Sequence, residues 1–310
     1  MNRLSSIISI LILSVSIAMI SCSSSGDEAE AEMESYGFAY DLNAPDADYE
    51  LHDDLDEISG ISWYSHNKLA CIQDEKGIIY LFDEVTEGIS GSYPFARHGD
   101  YEDITVYQDT AWVLKSNGTI YKVTNFAGSG RETFIIPTAL SSRNDTEGMA
   151  YDISEKVLLI SCKNEPSIDG KERFDGFRAI YRFEANDNKL EEKPGYLIDP
   201  EWFNDLAENT YVKRVSLSLA RKLQLAKNNI FNPSGLAIHP LEDDLYVISA
   251  FPGRLIVMKR DGSVSHIKTL DKRIFRQPEG ISFSSGGDLY ISNEGDNGRG
   301  NILKFKYQPE

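Results

Sequence analysis

Basic side chains are scarce in this chain, and their scarcity rules out more than any motif rules in. Lysine and arginine total 31 against 49 aspartates and glutamates, a formal net charge of −18. From Asp27 to Glu57 there are thirteen acidic residues and no lysine or arginine at all. Such a chain repels phosphate backbones, and no basic patch offsets this, so nucleic acid is excluded as a partner. Cysteine is scarce too, with three residues in 310. Cys71 and Cys162 fall in equivalent predicted strands two repeats apart, which predicts small buried core residues rather than a disulfide. The five histidines (His52, His66, His98, His239 and His266) show no metal-ligand spacing, and His98 is predicted to be a polar turn residue. There is no Gly-x-Ser-x-Gly nucleophile elbow and no glycine-rich phosphate loop before a lysine.

What is present is a repeat. Five short segments recur: Glu57-Ile58-Ser59-Gly60-Ile61, Glu102-Asp103-Ile104, Glu147-Gly148-Met149, Ser234-Gly235-Leu236 and Glu279-Gly280-Ile281. Counted from the first residue of each, three of the four intervals are 45 residues, and the one between Glu147 and Ser234 is 87. Each segment opens short apolar runs rich in β-branched and aromatic residues. In the first copy these are Ile58–Trp63, Leu69–Gln73 and Ile78–Phe82, with a polar turn at Asp74–Gly77. A period of roughly 40–45 residues with several strands per copy marks a β-propeller. Reading 87 as two periods with one degenerate copy predicts an all-β, six-bladed β-propeller over residues 36–310. The last repeat ends about one strand short. Tyr36–Tyr40, together with Tyr49–Leu51, lies upstream of the first repeat, so an N-terminal strand is predicted to complete the last blade and close the ring. Residues 201–228, with the run Ser216–Lys227, break the strand pattern and predict a partly helical insertion in blade 4.

The N-terminus carries an address. Residues 1–22 read as a lipoprotein signal peptide, with Arg3, an apolar stretch Ile7–Ile20, and Met19-Ile20-Ser21-Cys22, which resembles a lipobox with Cys22 as the lipidated residue. Residues 23–35 form a flexible acidic tether. Ser23 after the cysteine predicts sorting to the outer membrane, and the acidic stretch behind it resembles the export signals of surface-exposed lipoproteins. The chain is expected to be monomeric.

The repeat glutamates are the candidate site. Innermost strands of a propeller converge on its central channel, where glycine permits close backbone approach and the preceding Glu57, Glu102, Glu147 and Glu279 would project at the channel mouth. Converging carboxylates raise one another's pKa unless something compensates. Three compensations are open: a hard divalent cation such as calcium, with Asp74 and Glu294 as further ligands; arginine from Arg97, Arg143 or Arg276; or backbone N–H donors of a neighbouring blade. The Asn293–Asn301 loop, rich in Asn, Asp and Gly, is predicted to be an ordinary turn.

Several stretches resemble the SdiA-regulated family of bacterial propellers: EISGISW from Glu57, DEKG from Asp74, GDYEDI from Gly99, TEGMAYD from Thr146, the block from Cys162, NPSGLAIHP from Asn232, QPEGISF from Gln277 and LYISNEG from Leu289. The resemblance covers most of residues 55–307. It implies a propeller in the cell envelope. Related propellers, the phytase-like esterases and gluconolactonase-like hydrolases, imply a divalent cation at the hub, where Glu57, Glu102, Glu147 and Glu279 would stand; Ser234 departs from that pattern. Two functions follow as expectations: an envelope-anchored module binding an anionic small molecule or an envelope protein, or a metal-dependent hydrolase in which Lys115, Lys163, Arg97 and Arg143 steady an anionic substrate.

Overall fold

The computed structural model describes residues 37–169, 174, 176–199, 231–295 and 298–309. The predicted signal peptide, lipidation at Cys22, the tether and the insertion at 201–228 all lie outside the described residues.

The described chain is almost entirely β. A short strand β1 (Ala47–Glu50) and a 3-10 turn (Asp53–Leu55) lead into the first sheet, β2 (Ile58–Ser65), β3 (Lys68–Gln73), β4 (Ile78–Asp83) and β5 (Gly88–Pro94). The second is β6 (Tyr101–Tyr107), β7 (Thr110–Lys115), β8 (Ile120–Thr124) and β9 (Glu132–Ile136). The third is β10 (Thr146–Asp152), β11 (Val157–Cys162) and β12 (Arg178–Glu184), whose far edge pairs with both β13 (Lys189–Leu190) and β14 (Tyr196–Ile198). The fourth is β15 (Gly235–Ile238), β16 (Leu245–Ser249), β17 (Arg254–Met258) and β18 (Val264–Thr269). The fifth is β19 (Pro278–Phe283), β20 (Leu289–Asn293) and β21 (Asn301–Phe305). Burial explains the patterning. The middle strands β11 and β16 are buried along their whole length, whereas the outermost strands β5 and β9 alternate toward solvent. Apolar clusters fill each seam between neighbouring sheets.

The ring has five blades, not the six predicted from the repeat. The inner strand β10 lies directly against β15. A Cβ on Gly148 would come within 2.9 Å of the carbonyl carbon of Gly235 and of the amide nitrogen of Leu236, so no sheet fits between them. A Cβ on Gly235 would in turn meet the Glu279 carbonyl oxygen at 2.5 Å. The same close approach, at Gly60 to Asp103 and at Gly280 to Ile61, carries the ring round to its start. The 87-residue interval is therefore one blade, ending with β13 and β14, and extra chain, of which residues 200–230 lie outside the described residues.

Closure by an N-terminal strand holds. β1 pairs antiparallel with β21, Ala47 opposite Lys304 and Glu50 opposite Asn301. The strand is Ala47–Glu50; Phe38 and Tyr40 pack instead against Tyr246 and Phe283 beneath blades four and five. The seam between blades one and five is stapled by Glu84, which accepts from Tyr290 Oη (2.9 Å), Tyr49 Oη (3.2 Å) and Lys304 Nζ (2.8 Å). Cys71 and Cys162 are both buried and free, as the sequence predicts.

Candidate binding site at the charged mouth of the channel

Each motif sits at one end of the channel because each inner strand begins there. The pairing ladder shifts register at that point: between Tyr101 and Asp103, between Thr146 and Gly148, and between Pro278 and Ile281. Such an irregularity re-aims the residue it contains. In blades two, three and five that residue is Glu102, Glu147 or Glu279. In blade one the shift lies between Ile58 and Gly60, so Ser59 holds the equivalent place. Glu57 is two residues out of register and exposed. Counting from the glutamates instead of from the glycines hides this offset.

The three aligned carboxyls all hold their protons more tightly than free ones. Burial, then Glu147 and Asp100, push Glu102 up to about 9. Burial, then Glu147, push Glu279 up to about 8. Glu147 is buried and also raised, chiefly by burial, and it shares a side-chain hydrogen bond with Glu102. Compensation comes from a residue outside the three expected routes. Lys163, one position beyond β11, donates from Nζ to Glu147 Oε1 at 2.7 Å. Burial by itself would lower this ammonium, but Glu147, Asp145 and Glu279 hold it above its usual range. No ion pair among the described residues joins Arg97, Arg143 or Arg276 to a repeat glutamate, and all three arginines are exposed. His98 is an exposed turn residue, as predicted.

The remaining predicted residues ring this centre. Asp74, in the β3–β4 turn, is half-buried; burial and then Glu57 and Glu75 raise its pKa, and its Oδ1 is buried without a hydrogen-bond partner. Glu294 follows β20 and accepts from Gln277 Nε2. Asp145 accepts from Asn164 Nδ2 at 2.8 Å. Among the described residues no group of three or more His, Cys, Asp and Glu is placed to hold a metal ion. The donor set is of the hard-oxygen type that calcium takes, but a lysine ammonium stands among it, and the carboxyls as arranged do not form a cage.

Sequence reasoning missed Asp103. This fully buried carboxylate replaces the glycine of the motif and bridges two blades, accepting from Ile104 N (2.8 Å) and Met149 N (2.7 Å). The signal was visible, since Asp103 is the one non-glycine residue at that position of the repeat. Beside the mouth, between blades three, four and five, opens a pocket of about 350 Å³ whose lining includes Lys163, Asn232, Lys272, Arg276, Gln277 and Glu279. The opposite end of the channel holds a smaller cavity of about 220 Å³, lined by side chains such as Trp63, Tyr151 and Phe283.

No protein-family model matches the chain, and no curated protein matches it. Solved structures do resemble it. The glutaminyl cyclase of Myxococcus xanthus is 8% identical, aligns over 86% of this chain and 97% of its own, and gives a TM-score of 0.54. A gluconolactonase from Xanthomonas campestris (14% identical, 80% and 72% covered, TM-score 0.47) and a streptogramin B lyase (13%, 84% and 97%, 0.45) are similar at lower scores. At such identities the likeness to the cyclase is one of fold, and the fold is a β-propeller.

Proposed function

We propose that this propeller is a ligand-binding module held at the cell envelope, with the charged mouth as its recognition surface. The observation that carries the reading is the convergence of Glu102, Glu147 and Glu279 on Lys163 beside an open pocket. Carboxyls buried or half-buried in a cleft and held above their usual range are costly for folding, and functional sites are where proteins bear that cost. The motif resemblance to the SdiA-regulated family supports an envelope protein, and the lipobox-like Ser21-Cys22 supports a lipid anchor in the outer membrane. Tyr40 Oη donates to Gly287 O at 2.6 Å, and Gln308 N donates to Ala39 O at 3.0 Å. Both ends of the described chain therefore leave at the end of the channel opposite the mouth. Cys22→Ala is expected to move the protein from the membrane fraction to the soluble one; unchanged membrane association removes the anchor from the proposal. Capture of a ligand or envelope partner that is lost in Glu147→Gln supports the module. Turnover of an ester, lactone or phosphoester by the purified protein, abolished by the same substitution, overturns it.

A second reading, a hydrolase, is favoured by the Glu102–Glu147 pair. A carboxyl at about 9 keeps its proton at neutral pH and can give it to a leaving group, next to a second carboxyl able to receive one. Calcium belongs to either reading only if it displaces Lys163. Bound-metal analysis decides this, with stoichiometric calcium lost in Glu147→Gln as the supporting result and a metal-free protein as the opposing one.

A further inference from the structure

The pocket beside the mouth is an exception in an acidic protein. Its lining carries three cations, Lys163, Lys272 and Arg276, against one carboxyl, Glu279. Behind it, Arg178 is buried and has no carboxylate partner among the described residues. It donates instead to Asn232 Oδ1 from Nη2 (2.9 Å) and Nε (3.3 Å). A guanidinium only donates, so Asn232 must turn its oxygen to Arg178, which leaves the Nδ2 amide hydrogens as what Asn232 offers the pocket. Lys163 uses one of its three N–H bonds on Glu147. Arg276 uses Nη2 on the Arg299 carbonyl, and among the described residues no other hydrogen bond occupies its donors. The rim is aromatic: Phe251 is 46% exposed, and Lys272 Nζ lies 5.7 Å from its ring centroid. Donors with positive charge on one side and a flat apolar face on the other match one kind of molecule.

We infer that this pocket binds the carboxylate or phosphate group of a small molecule whose flat apolar part lies on Phe251, with Lys272, Arg276 and the Asn232 amide holding the oxyanion. The inference deepens the binding-module reading, on which it rests, by naming the class of ligand.

Calorimetric titration of the purified protein with phenyl phosphate, and with benzylamine as its cationic counterpart, tests it. Saturable 1:1 binding of phenyl phosphate and none of benzylamine is expected. Lys272→Ala combined with Arg276→Ala, both at exposed positions, should weaken phenyl phosphate about tenfold, and more salt should weaken it further. Phe251→Ala should weaken it about threefold and leave inorganic phosphate unaffected. Equal affinity of the wild type and the double variant overturns the pocket assignment. Binding of benzylamine that is lost in Glu279→Gln overturns the anion class but keeps the mouth as a ligand site. Absence of saturable binding by both probes overturns the inference, leaving the module reading to the partner-capture experiment.

Discussion

The two ends of the central channel are built from the same five inner strands and spend their polar groups differently. At the far end the hydroxyls are consumed by the fold: Ser62 Oγ accepts from Val106 N (2.9 Å), Thr105 Oγ1 from Tyr151 N (3.2 Å), and Ser282 Oγ from Trp63 N (2.8 Å). Each ties one blade to the next. At the mouth, Glu102, Glu147 and Glu279 are crowded, hold their protons more tightly than free carboxyls do, and among the described residues are balanced by Lys163. The far end and the middle of the channel hold the ring together. The mouth, with its raised carboxyls, costs the ring stability as pH rises. A repeat motif can thus stabilise the ring at one end of a strand and strain it at the other.

The comparison breaks most sharply at the seams. Gly235→Ala drives a Cβ into the Glu279 carbonyl, and Asp103→Ala strands two buried N–H groups. Each is expected to cost about 3 kcal/mol in denaturant unfolding. A cost near zero at either position would mean that the seams are looser than the geometry requires. At the mouth, Lys163→Met leaves Glu147 uncompensated. We expect a loss of about 2 kcal/mol, larger at pH 9 than at pH 5, because at low pH the carboxyls neutralise themselves.

The pH dependence of the whole protein follows in the same direction. Glu102 and Glu279 hold their protons more tightly folded than unfolded. Their contribution to stability is fully present below the ordinary value of 4.5 and is lost as pH rises through about 8 to 9. The melting temperature should therefore fall by several degrees between pH 5 and pH 9, at roughly 2–4 °C per kcal/mol. Glu102→Gln with Glu279→Gln should flatten the fall and raise stability at pH 9. A wild-type profile that rises toward pH 9 would show that these carboxyls ionise freely, and the contrast between the two ends would disappear. The smallest effect is expected at the far end: Ser282→Ala loses one hydrogen bond, about 1 kcal/mol, with no change in ligand binding.

Much of the architecture could be read in the chain. Runs such as Leu69–Gln73 and Ile78–Phe82 announced largely buried strands, the glycines of the repeat announced close-packed inner strands, and the shortfall in the last repeat announced a closing strand from the N-terminus. The number of blades could not be read, because the interval from Glu147 to Ser234 is close to two periods and spacing carries no information about which strands touch. Glu57 was misplaced for a related reason: an acid two residues from the register position looks like its neighbours in a linear pattern, but it lies in the exposed turn before β2 while Ser59 takes its place. Lys163 could not be assigned to Glu147 because the two lie on different strands and meet only when β10 and β11 pair.

The sequence by itself determined the fold class and the positions of the inner strands, since hydrophobic period and glycine placement are local properties of a chain. Tertiary structure decided that the ring closes at five blades, which glutamates share the mouth, and which cation balances them. Those outcomes depend on distances between residues 16 to more than 200 positions apart in the chain, such as Lys163 to Glu147 and Trp63 to Ser282, and such distances exist only once the strands have packed.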